Sequence, residues 1–300
     1  MSSITSQPRP FLASAIPATR WLRGGGWLLL VAAALVYGPI SWHLVETWWG
    51  SPDYSFGLFV PFIALFFLWR KRGDLRSLPA RPSRLGLLVI VCSQVIFLIG
   101  CLGAEFFLQG FSLLVFLAGL TLFIWGWPTL WEASFVLLLL LLAIPLPTIV
   151  FNAVALPLQL IASSWAEFIL RLLQVPVFRD GNLLQLDQMM LNVTEACSGI
   201  RSLASLVTAG VVVAYFLPAR WWMRAVFVLS TIPIALAANA FRVAGTGLLG
   251  EFFGERWATG FLHLFSGWVV FVLAFCVLCG EWAAFQRLSR PHRSAPGVSL

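Results

Sequence analysis

Charge is scarce in this chain: only 10% of its 300 residues are Asp, Glu, Lys or Arg, and it holds 3 His and 5 Cys. Soluble domains carry charge on about a quarter of their residues. With a hydrophobic fraction of 60%, such a shortage excludes a water-soluble fold and leaves a protein built for lipid. Acidic groups are scarcer still, 12 against 19 Lys and Arg, for a net charge of +7. The cations do not gather on one soluble face, so no nucleic-acid partner is expected. Cys92, Cys101, Cys276 and Cys279 lie inside or at the edge of apolar runs and form no disulfide framework. Cys276 and Cys279 make a C-x-x-C with no second ligand pair, which reads as packing, so neither a metal nor a cofactor is expected. No cleaved signal pattern precedes or follows the first apolar run, so that run is expected to stay as an anchor.

Apolar runs of roughly 18 or more residues, each enough to cross about 30 Å of hydrocarbon, recur from residue 27 to residue 285. Spans are expected at 27–45, 57–69, 85–101, 110–126, 133–150, 200–217, 222–241 and 261–283, an all-α polytopic helical bundle of eight spans. It forms one membrane domain, 27–285, between an N-terminal tail (1–26) and a basic C-terminal tail (286–300). The segment 152–173 is also apolar, but Asn152, Gln159, Ser163, Glu167 and Arg171 share one helical face. That pattern predicts a helix lying at the interface, re-entrant or folded against the bundle. Ile144-Pro145-Leu146-Pro147 should end or kink the fifth span.

Charge supports that count. The clusters Arg9/Arg20/Arg23, Arg70/Lys71/Arg72/Arg76/Arg81/Arg84, Arg220/Arg224 and Arg287/Arg290/Arg293 fall on one side only if 152–173 does not cross. Basic loops favour the cytoplasm. Both termini are then cytoplasmic, and the loops 46–56, 174–199 and 242–260 lie outside.

Ionisable groups at membrane depth are costly and mark function. Cys197, Arg242 and His263 each fall at the outer end of a different span, where residues distant in sequence can share one shallow site. A thiolate attacks a carbonyl, an imidazole moves the proton, and a fixed cation stabilises the thiolate or the developing oxyanion. Cys197, followed by Ser198-Gly199-Ile200, falls at the head of a helix, where unpaired N–H groups favour a thiolate. Arg242 stays protonated and cannot serve as the base. Taken singly, a Cys, His or Arg at a span end packs, anchors or snorkels; their coincidence at one level is what points to chemistry. His43, at the outer end of the first span, is a rival base that the sequence leaves open. Glu195 and Ser198 either join the chemistry or shape the turn, and Arg201, one turn beyond Cys197, either holds the thiolate or pairs with Glu195. Asp180, Asp187 and Glu195 make the 174–199 loop acidic, as a solvated loop would be.

The segments Asn192-Val193-Thr194-Glu195-Ala196-Cys197-Ser198-Gly199-Ile200-Arg201-Ser202, Asn239-Ala240-Phe241-Arg242-Val243 and Leu262-His263 resemble the exosortase/archaeosortase family of membrane transpeptidases. So do Pro52-Asp53-Tyr54-Ser55-Phe56-Gly57-Leu58-Phe59-Val60-Pro61, ahead of Leu68-Trp69-Arg70-Lys71-Arg72, and Ala143-Ile144-Pro145-Leu146-Pro147. The resemblance implies a Cys197-Arg242-His263 centre, with Asn239 among the supporting residues. It implies a place in a bacterial inner membrane, in contact with lipid, and partners that are exported proteins ending in a sorting tail. Such a tail has a short Pro-Glu-Pro-like motif, a transmembrane helix and a basic cluster; the enzyme cuts near the motif and passes the acyl group to an acceptor. The implied setting is exopolysaccharide and biofilm export. Many relatives have His where this chain has Phe56, so that role is absent or falls to another residue, His43 being a candidate. The extra soluble domain fused to some relatives is not expected. The rival reading is a transport or polysaccharide-export subunit without peptidase activity, but neither inverted repeats nor mid-membrane charges are evident.

Overall fold

The computed structural model describes residues 27–193, 199–254, 256 and 261–289. Helix α1 (Trp27–Gly50) leads through a 3-10 segment (Pro52–Leu58) to α2 (Val60–Arg70), α3 (Arg72–Ser77), α4 (Leu85–Leu102), α5 (Phe106–Ile124), α6 (Trp127–Leu142) and α7 (Thr148–Leu172). Three short strands follow, β1 (Phe178–Asp180), β2 (Leu183–Gln185) and β3 (Met190–Asn192), and then α8 (Ile200–Tyr215), α9 (Trp221–Phe253) and α10 (Phe261–Ser289). The chain is an all-α polytopic membrane protein. Among the described residues, Pro52–Arg70, α4, α5, α7, α9 and Gly267–Arg287 are long and apolar enough to cross a bilayer, while α6 and α8 are shorter apolar helices. The expected break at Ile144-Pro145-Leu146-Pro147 is present: α6 stops at Leu142 and α7 starts at Thr148, because Pro has no N–H to donate and restricts the residue before it.

Contacts divide the chain into two bodies, one made of the chain up to Glu46 with Pro61–Leu141, the other of Thr47–Val60 with the chain from Leu142 onward. In the first, α4 and α5 form a hairpin whose backbones approach at glycines. A Cβ on Gly86 would land on the backbone N and Cα of Phe123, and one on Gly119 would lie 2.9 Å from the backbone N of Ile90. Lipid supplies no hydrophobic drive between helices, so such close backbone packing is what holds them. Ser93 and Ser112 are fully buried there and donate to Ile90 O (2.6 Å) and Gln109 O (2.6 Å) of their own helices. Lys71 Nζ pairs with Glu132 Oε1 at 2.7 Å. Backbone cannot yield as a side chain can, so Gly86→Leu is expected to destabilise the protein by roughly 1–3 kcal/mol. An unfolding midpoint in detergent checks this.

In the second body, α8, α10 and the first half of α9 share a core of Leu206, Ala214, Phe227, Ala235, Ala274 and Leu278. Ser230 on α9 bonds Glu281 on α10 at 2.6 Å. Helix α7 is one continuous helix of 25 residues, so length alone would let it cross. Its polar face is turned inward in part: Gln159 and Ser163 are buried among Ala155, Ala162 and Ala166, while Asn152 is exposed. Glu167 Oε2 accepts from Arg179 Nε at 2.7 Å, and its Oε1 from Arg171 at 2.6 Å. The segment is thus partly buried against its neighbours, and it is among the helices long and apolar enough to cross, where the periodicity predicted no crossing.

Two features depart from the hydropathy pattern. The 174–199 loop contains a three-stranded antiparallel sheet, order β1-β2-β3, with Asp180 paired to Leu183 around Gly181. Leu184, Leu186 and Val193 of this region pack on Ala162, Ala166 and Leu170 of α7 and on Val243 and Ala244 of α9. Helix α9, expected to end at residue 241, runs on for 33 residues in all and stops at Gly254, φ 89°. The last turns stay helical because they are covered: Gly247 faces the side chains of Leu170 and Leu186. At 1.5 Å per residue the helix is about 50 Å long, well beyond the hydrocarbon thickness. Trp221 and Trp222, beside Arg220 and Arg224, have the character of an interfacial anchor. Arg242 then lies about 30 Å further along the helix.

Candidate active site

The turn into α8 carries the first anchor of the site. Gly199 occupies the cap position with φ 80° and ψ 1°, in the left-handed region that side chains with a Cβ disfavour. Its carbonyl accepts the Leu203 N–H at 2.8 Å and so starts the helix. It also sits hard against α9: a Cβ at Gly199 would lie 2.7 Å from Cγ and 2.9 Å from Nδ2 of Asn239. Asn239 is 2% exposed.

One helical turn beyond Asn239, on the same side of α9, is Arg242. Its guanidinium reaches α10, where Nη1 lies 3.6 Å from the position a Cβ would take on Gly267. A Cβ there would meet the guanidinium at ordinary van der Waals distance. Arg242 Nε is shielded from solvent. His263 precedes Gly267 by four residues on α10, hence on the same face one turn nearer the helix start. Cys197 precedes Gly199 by two residues, a chain length of at most about 7 Å. Cys197, Glu195 and Ser198 lie outside the described residues, as does the side chain of His263. What is described is the frame that carries them: the heads of α8 and α10, bridged by Asn239 and Arg242 on α9.

Neither alternative read from sequence for Arg201, holding the Cys197 thiolate or pairing with Glu195, falls on described residues, but in the first turn of α8 Arg201 has a described partner. Its Nε and Nη2 both donate to Asp53 Oδ1 at 3.1 Å. Asp53 lies in the first turn of the 3-10 segment, whose Pro52 starts the turn. That segment is itself braced: Trp48 Nε1 donates to Ala143 O at 2.8 Å, and Gly57 is packed on the Trp48 ring. Tyr54 stacks obliquely on Phe151 of α7, 6.2 Å between centroids. Asp53 was visible in sequence only as part of a motif; the signal was an acid in a short loop of a chain with 12 acids in all. His43 belongs to the other body, where its ring stacks on Phe106 at 4.0 Å and Nδ1 is 4.0 Å from Glu46.

Beside this frame α7 and α9 enclose a shallow groove of about 510 Å³ lined by Trp165, Phe168, Ala237, Ala240 and Phe241, ending within one turn of Arg242. Its lining is almost wholly apolar.

A family model described as transmembrane exosortase matches residues 48–280 of the chain. No curated protein and no solved structure matches it.

Proposed function

Because the chain belongs to the transmembrane exosortase family, we propose that it is a membrane-embedded cysteine transpeptidase that cuts C-terminal sorting tails of exported proteins at the outer face of a bacterial inner membrane. The single observation that carries this reading is the bridge made by α9. Arg242 stands against Gly267, one turn from His263, while Asn239, one turn away, packs on Gly199, two residues from Cys197.

The residues take these roles. Cys197, as thiolate, attacks the carbonyl of the scissile peptide, and Arg242 balances the negative charge first on sulfur and then on the carbonyl oxygen. His263 takes the thiol proton and returns it to the leaving amine as the C–N bond breaks, leaving a thioester on Cys197. An amine or hydroxyl acceptor, or water, then attacks the thioester and restores the thiol. The groove of Trp165, Phe168 and Phe241 suits the apolar helix of the tail, whose cleavage motif would emerge beside Arg242. Both termini are cytoplasmic in this reading, and the setting is export of protein with exopolysaccharide.

Co-expression with a tail-bearing protein, followed by gel shift, tests the assignment. His263→Ala is expected to lower processing by about 10²–10⁴-fold, and Arg242→Ala by about 10²–10³-fold. Normal processing in both variants would sink the proposal.

A further inference from the structure

Arg201 is out of place by the ordinary rules of helix ends. A cation in the first turn opposes the positive end of the helix dipole, where acids are favoured. Its counterpart is Asp53, 148 positions earlier, whose Oδ1 takes both Nε and Nη2 at 3.1 Å. The two side chains are 36% and 27% exposed, neither buried nor free in water. A forked contact of this kind fixes direction as well as distance, since the guanidinium is planar and rigid.

The contact falls at a sensitive place. Arg201 is one turn along the chain from Cys197, and of the described residues between them Gly199 is held against Asn239 and Ile200 packs with Ala155 and Leu158 of α7. Gly199 has the left-handed φ of 80° that lets the chain enter the helix. The turn thus has a brace from α9 on its near side and a brace from the 3-10 segment just beyond. The second brace has a firm base, because Trp48 ties the 3-10 segment to Ala143, Gly57 packs on Trp48 and Tyr54 meets Phe151.

We infer that Asp53 is a positioning residue for the nucleophile: by clamping Arg201 it fixes the head of α8 and so the direction from which Cys197 meets its substrate. This rests on the thiol mechanism proposed above. Asp53 does not touch the reacting atoms in this scheme. Its loss should therefore lower kcat and leave KM nearly unchanged, whereas a substrate contact would do the reverse.

The experiment uses the full chain in detergent with a tail-bearing substrate, comparing Asp53→Ala, Asp53→Glu and Cys197→Ser with the unaltered protein, and following Cys197 alkylation by iodoacetamide alongside turnover. Asp53→Ala is expected to cut kcat by up to about a hundredfold, the scale of a small misplacement of a reacting group. KM should stay within about a factor of two. Asp53→Glu, which keeps the charge, should recover much of the loss, and alkylation of Cys197 should slow in step with kcat. A melting curve on each variant separates misplacement from unfolding. Asp53→Ala with unaltered kcat overturns the inference, as does a change confined to KM. If Cys197→Ser still processes the tail, the thiol mechanism fails first; if Cys197→Ser is inactive while Asp53→Ala is fully active, only the role of Asp53 fails.

Discussion

Replacing Cys197 by Ser is expected to abolish tail processing while leaving the protein folded and in the membrane. Serine has nearly the shape of cysteine, so packing at the head of α8 is barely disturbed, but its hydroxyl has no accessible anion near neutral pH. The proposed centre depends on that anion. A thiol at a helix start beside a guanidinium is lowered toward ionisation, whereas a hydroxyl needs a strong base aligned on it. Loss of the nucleophile in hydrolases costs on the order of a millionfold in kcat, which in a gel assay means no product. The same variant should still bind the tail, since the apolar groove of Trp165, Phe168 and Phe241 is untouched. Uncleaved substrate co-purifying with Cys197→Ser is the positive sign. Processing at the normal rate in that variant would exclude a thioester route and favour the transport reading.

The all-helical membrane fold was legible because long hydrophobic runs are a physical requirement of crossing lipid, although six helices among the described residues, against the eight expected, are long and apolar enough to do so. The Pro145-Pro147 break was legible for the same kind of reason, a missing donor. Helix α9 was not. Asn239, Arg242, Gly245, Gly247 and Gly250 lower the hydropathy of its second half until it resembles a loop. Its helicity there comes from burial of Val243 and Ala244 beneath α7 and the sheet, a tertiary effect that local propensity does not carry. The sheet was missed because its strands are three residues each, too short for alternation to register.

The site divides in the same way. Reactive residue types at the ends of apolar runs could be singled out directly, since thiol and imidazole are rare in a chain with 5 Cys and 3 His. Their bridging geometry could not, because it depends on which face of α9 meets α8 and which meets α10. The partner of Arg201 shows the limit most clearly. The sequence offered Arg201 the Cys197 thiolate or Glu195, both close along the chain, while the structure supplies Asp53 from 148 positions away. No spacing rule reaches that far. Only the close seating of the 3-10 segment on the head of α8 makes the pair.

Gly199→Ala should also damage processing, though less than loss of the thiol and for a different reason. The new methyl meets two obstacles at once. The left-handed backbone at φ 80° costs an L-residue with a Cβ roughly 1–2 kcal/mol. The methyl would also stand 2.7 Å from Cγ of Asn239, whose side chain is buried and cannot swing into solvent. Something must shift, at the turn of Gly199 or at Asn239. Processing is expected to fall by about a hundredfold or more, with a loss of stability on the order of 2 kcal/mol. The double variant Gly199→Ala with Asn239→Ala removes the collision and keeps the backbone strain. It should melt above Gly199→Ala and below the unaltered protein, which separates the two costs. If Gly199→Ala alone processes the tail at the normal rate, the turn does not position the nucleophile, and the frame built from Asn239 and Arg242 loses its catalytic meaning.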